Sequence, residues 1–186
     1  MRVHKICLVG NVGAGKTSLA VKYTQNVFNP DITVSTVGAH FYGKQYDVDT
    51  RLEIWDCAGQ ERYRSLTPLY FRKASAVIVV VDATKPQCAR DAETWVSFVK
   101  DKEPNCSTIL VAVNKIDLVE NAQEILASVQ ASLGANLSVY ATSATRSPSH
   151  VFDAIVRSTP ASAAGQPAEA TIFVPSKTSS DDCRPC

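Results

Sequence analysis

No run of the 186 residues comes near the ~20 consecutive apolar positions that span a bilayer, so no transmembrane helix is expected. An excess of charge is missing too: 19 Lys and Arg against 18 Asp and Glu leave a net charge of +1. That balance excludes a global pull toward nucleic acid or acidic membranes. No basic cluster with interleaved aromatics appears, so nucleic acid is not an expected partner. A leader pattern is also lacking. Met1-Arg2-Val3-His4-Lys5 runs straight into a strand pattern, which predicts no signal peptide and a cytosolic compartment. In the cytosol the six cysteines are reduced thiols rather than a disulfide framework. Cys7, Cys57, Cys88 and Cys106 read as small packing residues.

What is present is ordinary in bulk, with 45% hydrophobic and 20% charged residues, enough for one domain with a proper core. Three of only eight glycines fall in one short segment, Gly10-Asn11-Val12-Gly13-Ala14-Gly15-Lys16-Thr17. This is a G-x-x-x-x-G-K-[ST] phosphate loop, placed after the apolar run Ile6-Cys7-Leu8-Val9 and before a helical pattern opening at Ser18. The glycines let successive N–H groups converge on one concavity that can bind phosphate oxygens. The following helix adds its free N–H groups and the positive end of its dipole. Lys16 can bridge the β- and γ-phosphates, and the Thr17 hydroxyl can ligate Mg²⁺. A plain Gly-rich turn with an exposed lysine is the weaker reading.

Strand patterns cover residues 3–9, 38–48, 50–56, 76–82, 108–113 and 137–141, and helical patterns 16–25, 61–73, 88–101, 121–133 and 149–157. The runs at 76–81 and 108–113 are apolar at nearly every position, as in central parallel strands covered on both faces. Segments 38–48 and 50–56 mix polar and apolar residues and read as a hairpin at the sheet edge. The alternation predicts an α/β domain: a mostly parallel six-stranded sheet, helices on both faces and one antiparallel edge strand. Ligands of such sheets sit outside the carboxyl ends of the strands. Residues 1–157 are the expected domain. Residues 158–186, rich in Pro, Ala, Ser and Thr, are the expected disordered tail, with Thr171-Ile172-Phe173-Val174 as a short apolar island.

Two further motifs end strands, the first of them expected to be an edge strand. Asp56-Cys57-Ala58-Gly59 is a D-x-x-G in which the acid can hold a Mg²⁺-bound water and the bare Gly59 N–H can approach a γ-phosphate. Gln60 beside it is suited to orienting an attacking water. Asn114-Lys115-Ile116-Asp117 follows a buried strand. There Asp117 can accept two hydrogen bonds from guanine, a donor pair that adenine lacks. Taken alone, that tetrapeptide is common turn chemistry; its order after the other two motifs favours guanine.

The succession GNVGAGKT, WDCAGQE, NKID and Thr142-Ser143-Ala144 resembles the Ras-type small GTPases over about residues 3–157. STVGAHF at 35–41, ERYRSL at 61–66 and LYFRKA at 69–74 resemble the Rab branch, and most of all early-endosomal Rabs. The resemblance implies nucleotide contacts from Gly10 through Ser18 and from Gly59, Asn114, Lys115, Asp117 and Ser143. Thr36 is implied to join Thr17 on Mg²⁺, with Asp56 acting through water. Phe28 would lie edge-on to the guanine, and the Ala144 N–H would meet its O6. Gln60 and Lys16 are the implied catalytic pair. Residues 31–42 and 58–74 become nucleotide-sensitive switches, with Phe41, Trp55, Tyr63 and Tyr70 on the effector face. Implied partners are GTP and GDP, a GEF, a GAP, a GDI or escort protein, and effectors.

Three positions depart from the family pattern. Thr145 stands where a lysine is usual beside the base. Val12 replaces the usual Gly or Ser, and its stiff β-branched side chain projects toward the γ-phosphate region. Two readings stay open there: slowed hydrolysis with hindered entry of a GAP arginine, or simple tolerance. Last, Cys183 and Cys186 are two residues apart, where Rab tails carry adjacent or singly spaced prenylated cysteines. C-a-a-X chemistry fits Arg184-Pro185 poorly, and a C-x-x-C metal or redox site lacks a second ligand pair. With no basic patch nearby, one lipid chain would bind marginally, so dual modification is the workable form of a membrane anchor. A flexible 158–182 would give a tether of ~25–30 Å. The expectation is a GTP-hydrolysing switch in vesicle traffic, peripheral on the cytosolic face of endosomal or other membranes. A GTP-bound scaffold and a phosphate-loop ATPase or nucleotide kinase are its rivals.

Overall fold

The computed structural model describes residues 1–30 and 35–159. Six strands form one sheet in the order β2-β3-β1-β4-β5-β6. They are β1 (Arg2–Val9), β2 (Ala39–Gln45), β3 (Thr50–Cys57), β4 (Ala76–Asp82), β5 (Ile109–Asn114) and β6 (Ser138–Ala141). Among the described residues five α-helices accompany them, four between strands and the last after β6: α1 (Lys16–Gln25), α2 (Thr67–Phe71), α3 (Cys88–Lys102), α4 (Ala122–Leu133) and α5 (Ser149–Ser158). Among the described residues only the β2–β3 pair is antiparallel. The α/β architecture is therefore the expected one.

Side-chain alternation along the strands divides the core in two. Ile6, Leu8, Ile54 and Ile78 face α1 and α5, where Tyr23 and Phe152 stack with ring centroids 3.9 Å apart. Cys7, Val9, Val77, Val79, Val111 and Val113 face the other way, against Phe71 of α2, Trp95 and Val99 of α3, and Val129 of α4. β4 is buried at every position, as its unbroken apolar run requires. Cys7, Cys57 and Cys88 are buried free thiols and Cys106 is partly buried, consistent with packing roles. Burial pushes the Cys88 thiol up to about 11, away from thiolate chemistry.

The structure corrects two expectations. Residues 61–73 do not form one helix; a 3₁₀ turn at Glu61–Tyr63 precedes the short α2. Pro68 is responsible, because it has no N–H to give residue 64 and its ring crowds that carbonyl, so it is tolerated only in a first turn. The strand ending in Asp56 is also not at the edge. β3 lies between β2 and β1, paired in parallel with β1 from Arg2 opposite Thr50 to Leu8 opposite Asp56. The edge belongs to β2, which stops at Gln45 where the chain turns through Tyr46–Asp49.

Candidate functional site

The phosphate loop leaves β1 with its backbone pressed against β4. Gly10 has φ 143°, and a Cβ there would stand 2.1 Å from the Val80 carbonyl oxygen, so only glycine fits. Gly15 precedes α1 at φ 91°, where a Cβ would strike the Asn114 amide nitrogen at 2.3 Å. That contact exists because Asn114 Nδ2 donates to the Ala14 carbonyl at 2.8 Å, while its Oδ1 accepts from the Thr142 hydroxyl at 3.3 Å. The Asn-Lys-x-Asp segment is thus stapled to the phosphate loop rather than being a solvated turn. Lys16 is 5% exposed, and its Nζ donates to the carbonyls of Gly10 at 3.0 Å and Asn11 at 2.8 Å. Burial lowers its pKa, opposed by the neighbouring charge of Asp56.

Three oxygens meet beside Lys16. Thr17 Oγ1 donates to Asp56 Oδ2 at 2.6 Å, Thr36 Oγ1 donates to the same atom at 3.2 Å, and the two hydroxyls lie 3.0 Å apart. Asp56 is fully buried, and burial raises its pKa against the pull of Thr17, Lys16 and Thr36. Its Oδ1 has no hydrogen-bond partner among the described residues. An all-oxygen set with an unsatisfied buried carboxylate atom fits Mg²⁺.

Gly59 lies directly on the phosphate loop, where a Cβ would stand 2.5 Å from Lys16 Nζ and 2.6 Å from the Val12 nitrogen. Gln60 follows, and its Oε1 accepts from Arg62 Nε at 2.6 Å. Lys115 adopts a left-handed turn at φ 64°, and its Nζ pairs with Asp82 Oδ2 at 2.7 Å. Burial pushes the Asp82 carboxyl up, but Lys115 and the hydroxyl and N–H of Thr84 outweigh it and hold the group below its ordinary range. Asp117 is exposed in the 3₁₀ turn Ile116–Leu118. Ser143 Oγ accepts from the Thr145 N–H at 3.1 Å, so the residue replacing the usual lysine closes a local turn.

One cavity of about 690 Å³ gathers these parts across the carboxyl edge of the sheet. Val12, Gly13, Gly15 to Ser18, Thr36, Gly59 and Gln60 line one end, with Asn114, Lys115, Asp117 and Ala144 at the other. Phe28, 40% exposed, stands on its wall and is not a core aromatic of the helix end. Gly10, Asn11, Ala14, Asp56 and Ser143 do not line it, and Asn11 and Ala14 face a second cavity beside Val80 to Asp82. Asn11 turns its side chain away, its Oδ1 accepting from Trp95 Nε1 at 2.8 Å. Sequence reasoning missed Asp82 as the partner of Lys115; its signal was an acid ending a wholly apolar strand, beside Asn114 in register.

Beyond the cavity, Phe41 and Trp55 meet edge-on at 5.4 Å and Trp55 and Tyr70 at 6.1 Å, beside exposed Val37 and Leu69. The Ala58 N–H donates to the Gly38 carbonyl at 2.8 Å, tying the two expected switches together. Residues 31–34 of the first switch, and Cys183 and Cys186, lie outside the described residues. Among the described residues, no helix is long and apolar enough to cross a membrane.

A phosphate loop after the first strand, a D-x-x-G against it and one cavity along the carboxyl edge define a phosphate-loop G domain. The Ras family profile matches residues 5–160. GTP-binding protein ypt5 of Schizosaccharomyces pombe is 35% identical over 165 residues, covering 84% of this chain and 78% of that protein. The human Ras-related protein Rab-22A is 37% identical over 123 residues, covering 64% of this chain and 63% of that protein. The putative Ras-related protein Rab-5B of Dictyostelium discoideum is 46% identical over 118 residues, 61% of this chain and 54% of that protein. The chain belongs to the Ras family and, within it, to the Rab-type small GTPases.

Proposed function

We propose that this protein is a GTP-binding switch that hydrolyses GTP to GDP and acts in endosomal vesicle traffic. The observation that carries the reading is one continuous cavity, with Lys16 and Thr17 at one end and, at the other, exposed Asp117, which has no hydrogen-bond or ion-pair partner among the described residues. That spacing suits a nucleoside triphosphate with its base at Asp117. The Asp117 oxygens accept from guanine N1–H and the exocyclic amine, Phe28 and the Lys115 stem flank the ring, and the Ala144 N–H meets O6. Loop N–H groups from Gly13 to Ser18 hold the phosphates.

For hydrolysis, Gln60 releases Arg62 and orients a water on the γ-phosphorus. The water oxygen forms the new P–O bond as the bond to the β–γ bridging oxygen breaks, leaving GDP and inorganic phosphate. Lys16 moves its ammonium from the loop carbonyls to the phosphates and stabilises the charge gathering on the leaving oxygen. Thr17 and Thr36, with Asp56 acting through water, would hold Mg²⁺, which would neutralise phosphate charge when bound. Val12 is 55% exposed at the cavity mouth beside Gly59, which favours slow intrinsic hydrolysis and a restricted path for a GAP arginine.

The switches would present Phe41, Trp55, Tyr63 and Tyr70 to effectors in the GTP state, and GEF, GAP and GDI would act on the same segments. Prenylation of Cys183 and Cys186 would hold the protein on the cytosolic face of its membrane. Competition of labelled GTP by unlabelled GTP and ATP tests the base reading. GTP is expected to displace the label at least roughly a hundredfold better, as hydrogen-bond-based discrimination allows; equal displacement would refute guanine specificity and favour an ATPase.

A further inference from the structure

Helix α3 takes part in the phosphate site through a residue that does not line the nucleotide cavity. Trp95, 3% exposed, donates its Nε1–H to Asn11 Oδ1 at 2.8 Å. The Arg64 guanidinium lies over the Trp95 ring and the neighbouring Phe98 ring, 4.8 Å from each centroid. Trp95 and Phe98 meet edge-on at 5.6 Å, and Phe98 meets Phe71 of α2 at 6.2 Å. At the other end of the same segment, Gly59 sits so close to the phosphate loop that a Cβ would be 2.7 Å from the Asn11 carbonyl carbon.

The contacts close a ring. Asn11 touches residue 59 through its backbone and Trp95 through its side chain, and Trp95 returns to the segment at residue 64. Residues 59–64 are therefore pinned at both ends, and Gln60 lies between the pins. An indole N–H has one donor and no acceptor, so a buried Trp95 must find an oxygen, and Asn11 supplies it. Arg64 stacks on two aromatic faces and forms no ion pair among the described residues, which keeps the clamp largely independent of salt.

We infer that Trp95 is a positioning residue for Gln60, fixing the 59–64 segment through Asn11 and Arg64, and that its indole senses the nucleotide state. A γ-phosphate that draws the Gly59 N–H toward it shifts the segment against Asn11, and the hydrogen bond carries that shift into α3. The inference rests on the GTP-switch reading above.

The test uses the full chain with Trp55→Phe, which leaves Trp95 as the sole remaining one of two tryptophans. The protein is loaded with GDP or with a non-hydrolysable GTP analogue, and bound nucleotide is verified by chromatography. Trp95 emission is expected to differ between the two states. Asn11→Ala should remove most of that difference, and Asn11→Asp, which keeps the acceptor, should restore it. In the Trp55-containing chain, Trp95→Phe should slow single-turnover hydrolysis roughly tenfold, the loss of one buried hydrogen bond. Release of fluorescent GDP from that variant should change less than about twofold, since Trp95 does not line the cavity. Verified loading with identical emission in both states overturns the inference, as does a difference that survives Asn11→Ala or unchanged hydrolysis in Trp95→Phe. Equal losses of hydrolysis and nucleotide retention would mark a merely structural residue and also overturn it. Failure to retain any guanine nucleotide overturns the switch reading, and this inference with it.

Discussion

Asn114 and Ala14 stand 100 residues apart and are joined by a buried 2.8 Å hydrogen bond from the side-chain amide to the backbone carbonyl. The bond couples the base end of the cavity to its phosphate end. In Asn114→Ala the Ala14 carbonyl and the Thr142 hydroxyl both lose a buried partner, at a cost of ~1–3 kcal/mol. Guanine nucleotide release is expected to become roughly 10–100-fold faster, measured as displacement of fluorescent GDP. An unchanged rate would mean that the two ends act separately.

Val12 stands beside Gly59 at the cavity mouth, on the path proposed for a GAP arginine. Val12→Ser shortens the side chain and frees χ1. The variant is expected to gain about tenfold or more in GAP-stimulated hydrolysis, a fraction of the ~10³–10⁵ an arginine can contribute. Single-turnover assays with and without GAP measure it, and equal rates in both proteins would show that the loop tolerates valine at no catalytic cost.

The Asp82–Lys115 pair predicts a pH dependence. Asp82 is depressed below the ordinary carboxylate range, so its pairing contributes stability that is complete above about pH 4. That contribution is lost as pH falls through the lower native pKa. Asp82→Asn should therefore be less stable than the parent near neutrality, with the gap closing as pH falls below the ordinary carboxylate range. Urea midpoints across this range report it, and a gap independent of pH would argue against the ion pair as the cause.

On the opposite face of the sheet, Phe152 is 2% exposed and stacks on Tyr23. Phe152→Ala removes that ring from between α5 and α1 and leaves a cavity, costing ~3–5 kcal/mol. Denaturant unfolding measures the loss. A cost under about 1 kcal/mol would mean that the two helices collapse to fill the gap.

Much of this architecture is legible locally. Helix α1 begins and ends where the pattern after Lys16 predicts, and β4 matches its apolar run from residue 76 to residue 82. Both signals are local: a glycine that opens the helix, and unbroken burial that no exposed strand could bear. The span 61–73 misled because apolar periodicity outweighed Pro68, whose missing N–H is felt only four residues upstream. The place of β3 misled for a different reason. A polar and apolar mixture says that one face is less covered, but not which strand lies alongside, and β1 is the neighbour.

By itself the sequence determined the phosphate loop, the D-x-x-G, the Asn-Lys-x-Asp and their order at strand ends, because each needs particular residue types within a few positions. Tertiary structure alone decided that Asn114 grips Ala14, that Asp82 holds Lys115, that Thr17 and Thr36 share one oxygen of Asp56, and that Trp95 meets both Asn11 and Arg64. These pairings join residues from 20 to 100 positions apart. No local pattern encodes them, since they follow from which strands the sheet sets side by side and which helix covers each face.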